Sequence, residues 1–147
     1  MSFFISRMEN ALDLPLPVRA TPLSSGLDLR ANVEGEIVIF PSKMAKVPTG
    51  VKTALPAGYE VQIRPRSGLA FNSNITTVNA PGTIDADYRG EISVLLINLG
   101  EEPFTIRRGD RIAQMVVSPV ILADFTEVEE LPETSRGSGG FGHSGIV

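Results

Sequence analysis

Residues 79–98 read N-A-P-G-T-I-D-A-D-Y-R-G-E-I-S-V-L-L-I-N, and they indicate the fold more clearly than any other stretch. The second half, residues 91–98, is a β-branched apolar run of strand length. In the first half, the turn signals Pro81-Gly82 and Arg89-Gly90 bracket about six residues, a length that suits one tight hairpin. The sequence therefore predicts a tight hairpin that leads into a strand.

Two aspartates, Asp85 and Asp87, stand inside that predicted hairpin, although aspartate is depleted in strands. A hairpin holds its tip rigidly and points backbone N–H and C=O groups outward. Such a tip suits reading the edge of a flat base while a carboxylate faces a water molecule. A surface hairpin with solvated aspartates is the simpler interpretation of this segment taken alone, so the rest of the chain has to decide.

The strand pattern recurs along the chain between turns. Further runs lie at residues 36–40, 59–63 and 112–117, and weaker candidates lie at 104–107 and 123–128. The 14 glycines and 11 prolines punctuate these runs at the spacing of a sandwich or barrel. At most one short helix fits, around residues 67–74. The sequence predicts an all-β domain of jelly-roll or β-barrel-like architecture.

The bulk properties of the chain exclude several classes of site. The chain has 147 residues, which favours a single domain, and it contains no cysteine, so disulfides, thiol catalysis and cysteine metal sites are excluded. Its single histidine, His143, excludes a multi-histidine metal site within one chain. The net charge of −4 argues against a nucleic-acid binder, whose footprint is a basic surface.

Membrane and export signals are also missing from the pattern. No apolar run approaches the roughly 20 residues of a membrane-spanning helix. The N-terminus lacks a basic region followed by a long apolar stretch, so it does not resemble a signal peptide. We therefore expect a cytoplasmic protein with neither a membrane nor a nucleic acid as a partner.

The composition changes after Leu131. Half of residues 136–145 are glycine, and such a segment buries too little apolar surface to fold alone. We expect residues 1–131 to form the folded β jelly-roll domain and residues 132–147 to form a flexible flap. Freed backbone N–H groups and the side chains of Arg136, Ser138 and Ser144 would donate to phosphates, and Phe141 would offer a stacking face. A flexible end without function has the same composition.

Three further segments carry polar residues at turns or strands. P-R-S-G-L-A, residues 65–70, places Arg66, Ser67 and the Gly68 N–H on one turn after a strand, as an oxyanion cradle requires. In S-S-G-L-D-L-R, residues 24–30, Asp28 lies on the polar face and could hold a hydrated Mg²⁺. In R-R-G-D-R-I-A-Q, residues 107–114, Gln114 is polar among apolar neighbours and needs partners. A simple turn, a solvated face and a structural glutamine are the alternatives.

The order of these segments is more specific than any one of them. S-S-G-L-D-L, P-R-S-G-L-A, N-A-P-G-T-I-D-A-D-Y-R-G, R-G-D-R-I-A-Q and R-G-S-G-G-F-G-H-S-G closely resemble the five ordered motifs of the trimeric dUTPases. The resemblance covers about residues 20–145. It implies a β jelly-roll homotrimer whose active sites are shared between subunits. It also implies Mg²⁺-dependent hydrolysis of dUTP to dUMP and pyrophosphate, which limits uracil incorporation into DNA and supplies dUMP for thymidylate synthesis.

The resemblance assigns roles within the third motif by position. It implies that Asp85 orients and deprotonates the attacking water, which fits a reaction that mainly needs positioning and charge neutralisation. Asn79 and the backbone of Thr83, Ile84 and Asp85 would read the uracil edge. Tyr88 would pack under the deoxyribose and leave no room for a 2′-hydroxyl.

The other motifs would bind the triphosphate. The phosphate contacts implied outside the tail come from Arg66, Ser67, Gly68 and Gln114. Asp28 would meet Mg²⁺ through a water. From the tail, Arg136 would hold the γ-phosphate, Phe141 would stack on uracil, and Ser144 would add a phosphate contact.

Two positions and one three-residue stretch depart from the pattern of the family. Ser25 replaces the usual Ala, and Ser93, in a strand position that would touch the substrate, replaces Lys or Met. Residues 72–74 lack the basic side chains common after the second motif. These departures concern affinity and remove no catalytic group. Two alternatives are a dCTP deaminase-like relative, a class that lacks the glycine-rich tail, and a non-catalytic jelly-roll nucleotide-binding protein.

Overall fold

The computed structural model describes residues 2–140, and these form an all-β fold with one short α-helix and one 3-10 helix, Glu9–Ala11. The α-helix, α1, is Ser67–Ser73 and ends at Asn74, which adopts the left-handed conformation with φ 54°. The strands are β1 (Phe4–Arg7), β2 (Leu27–Arg30), β3 (Glu36–Ile39), β4 (Met44–Pro48), β5 (Val51–Ala54), β6 (Tyr59–Arg64), β7 (Ile75–Thr77), β8 (Gly82–Ile84), β9 (Ser93–Asn98), β10 (Phe104–Arg107) and β11 (Arg111–Pro119). The all-β prediction is confirmed.

The strands form antiparallel sheets that join distant parts of the chain. One four-stranded sheet has the order β2-β11-β6-β8, and a three-stranded sheet has the order β4-β9-β7. Two further pairs are β1-β5 and β10-β3. In the four-stranded sheet, Gln114 of β11 lies opposite both Asp28 of β2 and Arg64 of β6. This register brings the first, second and fourth motifs to one sheet.

The side chains of strand β9 alternate between the core and the opposite face of its sheet. Val94, Leu96 and Asn98 are buried, while the residues between them are half-buried on the opposite face. Asn98 is fully enclosed, and it donates to the carbonyl oxygens of Ile39 and Glu102 while its own Oδ1 accepts from the Gly100 N–H. These three side-chain hydrogen bonds join the end of β3 to the turn that follows β9, so this buried amide is satisfied.

The predicted tight hairpin over residues 79–90 was wrong in its pairing. β8 pairs with β6, whereas β9 pairs with β4 and β7. The two strands are joined by a turn in which the Tyr88 N–H donates to the Asp85 carbonyl at 3.2 Å. β8 and β9 each bury their apolar residues in a different sheet. This burial is more favourable than the direct pairing of the two strands in a hairpin.

The weak strand predicted at residues 123–128 was also wrong. The structure has no strand there, and Phe125 is 97% exposed. No strand of the described residues lies alongside this segment to complete its backbone hydrogen bonds. The helix and the other predicted strands are confirmed, with boundary differences of a residue or two. No helix within residues 2–140 is both long and apolar enough to cross a membrane.

Candidate active site

A cleft of about 400 Å³ opens beside the turn that follows β8. Six of the residues predicted from the sequence line it together: Asn79, Thr83, Ile84, Asp85, Tyr88 and Ser93. Lys46, Glu91 and Leu95 also line it, and the sequence interpretation missed these three. We call this site the turn cleft.

Three elements build the turn cleft. β8 supplies Thr83 and Ile84, with Thr83 opposite Gln62 of β6. β9 supplies Ser93 and Leu95 from the face that points away from the core, and Lys46 of β4 lies directly opposite Leu95. Because residues opposite each other in a ladder share a face, the lysine and the leucine reach the same surface. The floor of the cleft is therefore a sheet, and its rim is a turn.

Asp85 lies at the rim with its carboxylate exposed. Its side chain takes part in no salt bridge within the described residues. Its backbone is nevertheless fixed, since its carbonyl closes the turn to Tyr88. A carboxylate without a protein counterion on a rigid turn can accept a proton from a water held in the cleft.

The Tyr88 ring is held from two sides. Its hydroxyl donates to the Glu91 carbonyl at 3.1 Å, and the ring lies so close to Gly90 that a Cβ there would overlap it. Arg89 also braces the turn, because its Nη1 donates to the carbonyls of Ala86 and Tyr88. A ring that is 43% exposed, yet fixed in this way, offers a flat wall to a ligand in the cleft.

Five predicted residues gather with Arg111 at the four-stranded sheet, and we call this group the arginine cradle: Asp28, Arg66, Ser67, Gly68, Arg111 and Gln114. Asp28 is the centre of its charges, with one carboxylate oxygen 3.0 Å from Arg66 Nε and the other 3.2 Å from Arg111 Nη1. Ser67 and Gly68 begin α1 and are exposed. The cradle therefore places two guanidinium groups and an exposed turn side by side. Arg111 was missed, although it stands within the fourth motif.

Gln114 is half-buried and finds the partner that the sequence interpretation required. Its Nε2 donates to the Pro65 carbonyl at 3.0 Å, immediately before Arg66. Gly26 makes room for this side chain, because a Cβ at Gly26 would collide with the Gln114 amide oxygen. The first, second and fourth motifs thus hold one another in place by close packing.

The described residues offer no complete protein cage for a metal ion. No three His, Cys, Asp or Glu side chains come together among residues 2–140. Each oxygen of Asp28 already accepts a hydrogen bond from an arginine, and each keeps a further lone pair that can accept a hydrogen bond from a water of a hydrated ion. Mg²⁺ keeps several waters and commonly takes phosphate oxygens as ligands. The cradle therefore fits a hydrated Mg²⁺ that is held mainly by a phosphate ligand.

The turn cleft and the arginine cradle do not share a wall in one chain. Within the described residues, none of the cradle's members lines the cleft. Arg136 is exposed, and among the described residues its side chain donates to the Gly139 carbonyl three residues away and to no member of the cleft or the cradle. Phe141 and Ser144 lie outside the described residues. The predicted site residues are thus divided between a cleft, a cradle and the tail.

The three cleft residues that the sequence interpretation missed differ in whether a pattern in the sequence could have identified them. Leu95 could have been found, because strand alternation places it on the face of Ser93. Glu91 directly follows the third motif but carried no signal of its own. Lys46 reaches the cleft only through the pairing of β4 with β9, which no local pattern reveals.

Comparison with known proteins identifies close relatives along almost the whole chain. The dUTPase family profile matches residues 13–145. The chain is 55% identical over 142 residues to a deoxyuridine 5′-triphosphate nucleotidohydrolase of Caldanaerobacter subterraneus subsp. tengcongensis, covering 97% of this chain and 96% of that protein. It is also 55% identical over 142 residues to the enzyme of the same name from Caulobacter vibrioides, covering 95% and 92%.

Solved structures support the fold. The dUTPase of Staphylococcus bacteriophage 80alpha with dUPNHPP matches with a TM-score of 0.87 at 24% identity, covering 99% of each chain. A mutant dUTPase from phage phi11 of S. aureus, described with a structural Mg(II) ion, matches with a TM-score of 0.79 at 21% identity, covering 90% of this chain and all of that one. The family that the five motifs predicted, and its class of hydrolase, are confirmed by the sequence relatives: the chain belongs to the dUTPase family.

Proposed function

We propose that this protein hydrolyses dUTP to dUMP and pyrophosphate by attack of water on the α-phosphorus. The observation that carries the proposal is the turn cleft, which gathers six of the residues implied by the third motif and its following strand. Family membership and relatives named for this activity support it. The reaction would limit uracil incorporation into DNA and supply dUMP for thymidylate synthesis.

Within the turn cleft, the proposed base pocket lies between β8 and the Tyr88 ring. Asn79 and the backbone of Thr83, Ile84 and Asp85 would bond the uracil edge, and the ring of Tyr88 would pack under the deoxyribose. Cytosine presents a donor where uracil presents an acceptor, so it would leave site groups unpaired, which is the costly kind of mismatch. Asp85 would hold the attacking water and take its proton.

The arginine cradle would bind the triphosphate. Arg66, Ser67, Gly68 and Gln114 would contact its oxygens, and Arg136 would hold the γ-phosphate. A hydrated Mg²⁺, with Asp28 in its outer shell, would neutralise phosphate charge. The anion would compete with Asp28 for the two guanidinium groups, so those arginines would partly exchange an internal partner for the substrate.

The separation of cleft and cradle in one chain supports a homotrimer with shared sites. A cleft from one subunit, a cradle from a second and a tail would together surround one nucleotide. Residues 132–147 would act as the flap, with Phe141 stacked on uracil and Ser144 on a phosphate. Residues 1–131 would be the catalytic domain, over which the flap would open and close.

The proposal is tested by incubating the protein with dUTP, dCTP and dTTP, with Mg²⁺ and with excess EDTA, while pyrophosphate and ammonia are measured. We expect pyrophosphate from dUTP alone, and a large loss of rate in EDTA. Ammonia from dCTP would indicate a deaminase, and binding of dUTP without any product would indicate a nucleotide-binding protein. Either result would overturn the proposal.

A further inference from the structure

Residues 88–91 form a short loop that closes on itself. Tyr88 reaches forward three residues to donate its hydroxyl to the Glu91 carbonyl at 3.1 Å. Gly90 lies beneath the ring, and only a residue without a side chain fits there. The position of the Tyr88 ring therefore depends on where the Glu91 backbone is held.

The Glu91 side chain provides that anchor. Its Oε1 accepts a hydrogen bond from the Gly50 N–H at 2.7 Å, at the junction between β4 and β5. Gly50 is buried and has φ 72°, and a Cβ there would collide with Ala11, so this junction has little freedom to move. The next residue, Ile92, adds a backbone bond to Val51 at 2.9 Å. The loop is thus tied to a rigid part of the core.

The junction contains another hydrogen bond, which is buried and does not involve Glu91. The Thr49 hydroxyl donates to the Ile92 carbonyl at 2.6 Å, and Thr49 is 3% exposed. This bond stabilises the same strands but does not contact Tyr88 or the loop that carries it. It provides a matched comparison for any change at Glu91.

We infer that Glu91 is a positioning residue that holds Tyr88 against the sugar and so sets the selectivity for deoxyribose over ribose nucleotides. This inference rests on the proposed function, which places the sugar on the Tyr88 ring. With the anchor removed, the Glu91 carbonyl and the ring can shift together, and the space needed by a 2′-hydroxyl opens. The change would lower the ratio of kcat/KM for dUTP to kcat/KM for UTP and would leave the chemical step at Asp85 unaffected.

The test measures kcat/KM for dUTP and UTP with the unaltered protein, Glu91→Ala and Glu91→Gln. We expect Glu91→Ala to lower the dUTP/UTP ratio about tenfold or more, mainly through a higher KM for dUTP and a gain with UTP. Glu91→Gln keeps an oxygen that can accept from the Gly50 N–H, so it should restore most of the ratio. An unchanged ratio in a folded Glu91→Ala protein would overturn the inference.

Two further variants separate positioning from general loss of stability. Gly90→Ala disturbs the ring while leaving the Glu91 side-chain bond in place, and it should lower the ratio as Glu91→Ala does. Thr49→Val removes the neighbouring buried bond, so it should lower the thermal midpoint and leave the ratio unchanged. An equal loss of selectivity in Thr49→Val would overturn the inference. No hydrolysis of dUTP by the unaltered protein would instead overturn the proposed function.

Discussion

The turn cleft and the arginine cradle hold their polar groups in opposite ways. In the cleft, Asp85 and Asn79 are exposed, and the carboxylate of Asp85 has no counterion among the described residues. In the cradle, Arg66 and Arg111 both bond Asp28, and Gln114 bonds the chain beside Arg66. The cleft is fixed through backbone and strand contacts, whereas the cradle is fixed by its own charges.

This difference separates two physical tasks. A base and a water need groups already in place with unoccupied hydrogen-bonding atoms, because a rigid site loses little on binding. A triphosphate brings enough charge to displace an internal partner. We therefore expect substitutions in the cleft to affect turnover and selectivity, and substitutions in the cradle to affect the binding of phosphates.

The sharpest test of the cleft is Asp85→Asn. The amide is of the same size but cannot take a proton from water, so kcat should fall by about a thousandfold. Binding of a non-hydrolysable dUTP analogue, measured by calorimetry, should remain within a few-fold of the unaltered protein. Asp87→Asn, two residues along the same turn, is the matched control and should keep nearly normal turnover. Near-normal kcat in Asp85→Asn would contradict the role of this carboxylate.

The division of the site between subunits can be tested by mixing two inactive proteins. Asp85→Ala and a chain truncated after Thr134 are refolded together in equal amounts and assayed with dUTP. Random mixing should give about a quarter of the normal number of sites, each with an intact Asp85 from one subunit and an intact tail from another. The control is the sum of the two proteins refolded apart. Activity no higher than that sum would mean that each site lies within one chain.

The cradle is tested by Arg66→Ala with two ligands. Loss of a charged hydrogen bond to phosphate costs about 1.5–3 kcal/mol, which should weaken binding of the dUTP analogue about 10- to 100-fold. Deoxyuridine lacks phosphates and binds more weakly than the dUTP analogue, and its affinity for Arg66→Ala should equal its affinity for the unaltered protein. Arg64→Ala is the control, since Arg64 is exposed and its side chain bonds Gln62 of its own strand. Equal losses for both ligands would mean that cleft and cradle are not separate.

The ion pair between Asp13 and Arg108 belongs to neither the turn cleft nor the arginine cradle, so it should affect only stability, and only slightly. Hydrogen bonds from Arg108 hold the pKa of Asp13 below its ordinary value of 3.8. A lowered pKa stabilises the fold above the pKa of the unfolded chain, and this stabilisation is lost as the pH falls through the folded-state pKa. Asp13→Asn should therefore lower the thermal midpoint slightly at pH 7. At a pH below the folded-state pKa of Asp13, where the carboxyl is protonated, the substitution should leave the midpoint unchanged. A change in kcat/KM for dUTP would show that this ion pair is coupled to the site.

The sequence was informative where a local pattern decides the structure. The β-branched apolar run at residues 91–98 predicted β9, and the polar residues of P-R-S-G-L-A marked the turn that starts α1. It failed for the third motif, where turn residues at both ends resembled a hairpin although β8 and β9 belong to different sheets. It failed again at residues 123–128, because strand propensity does not specify a partner strand.

By itself, the sequence determined the all-β class, the family, six of the nine residues that line the cleft and five of the six residues of the cradle, because spacing and residue type are local properties of the chain. Only the tertiary structure decided that Lys46 joins the cleft, that Arg111 and Asp28 pair in the cradle, and that Glu91 is tied to Gly50. Those contacts join residues that lie about 40 to 80 positions apart in the chain. They form because strand pairing and burial of the core are settled by the chain as a whole.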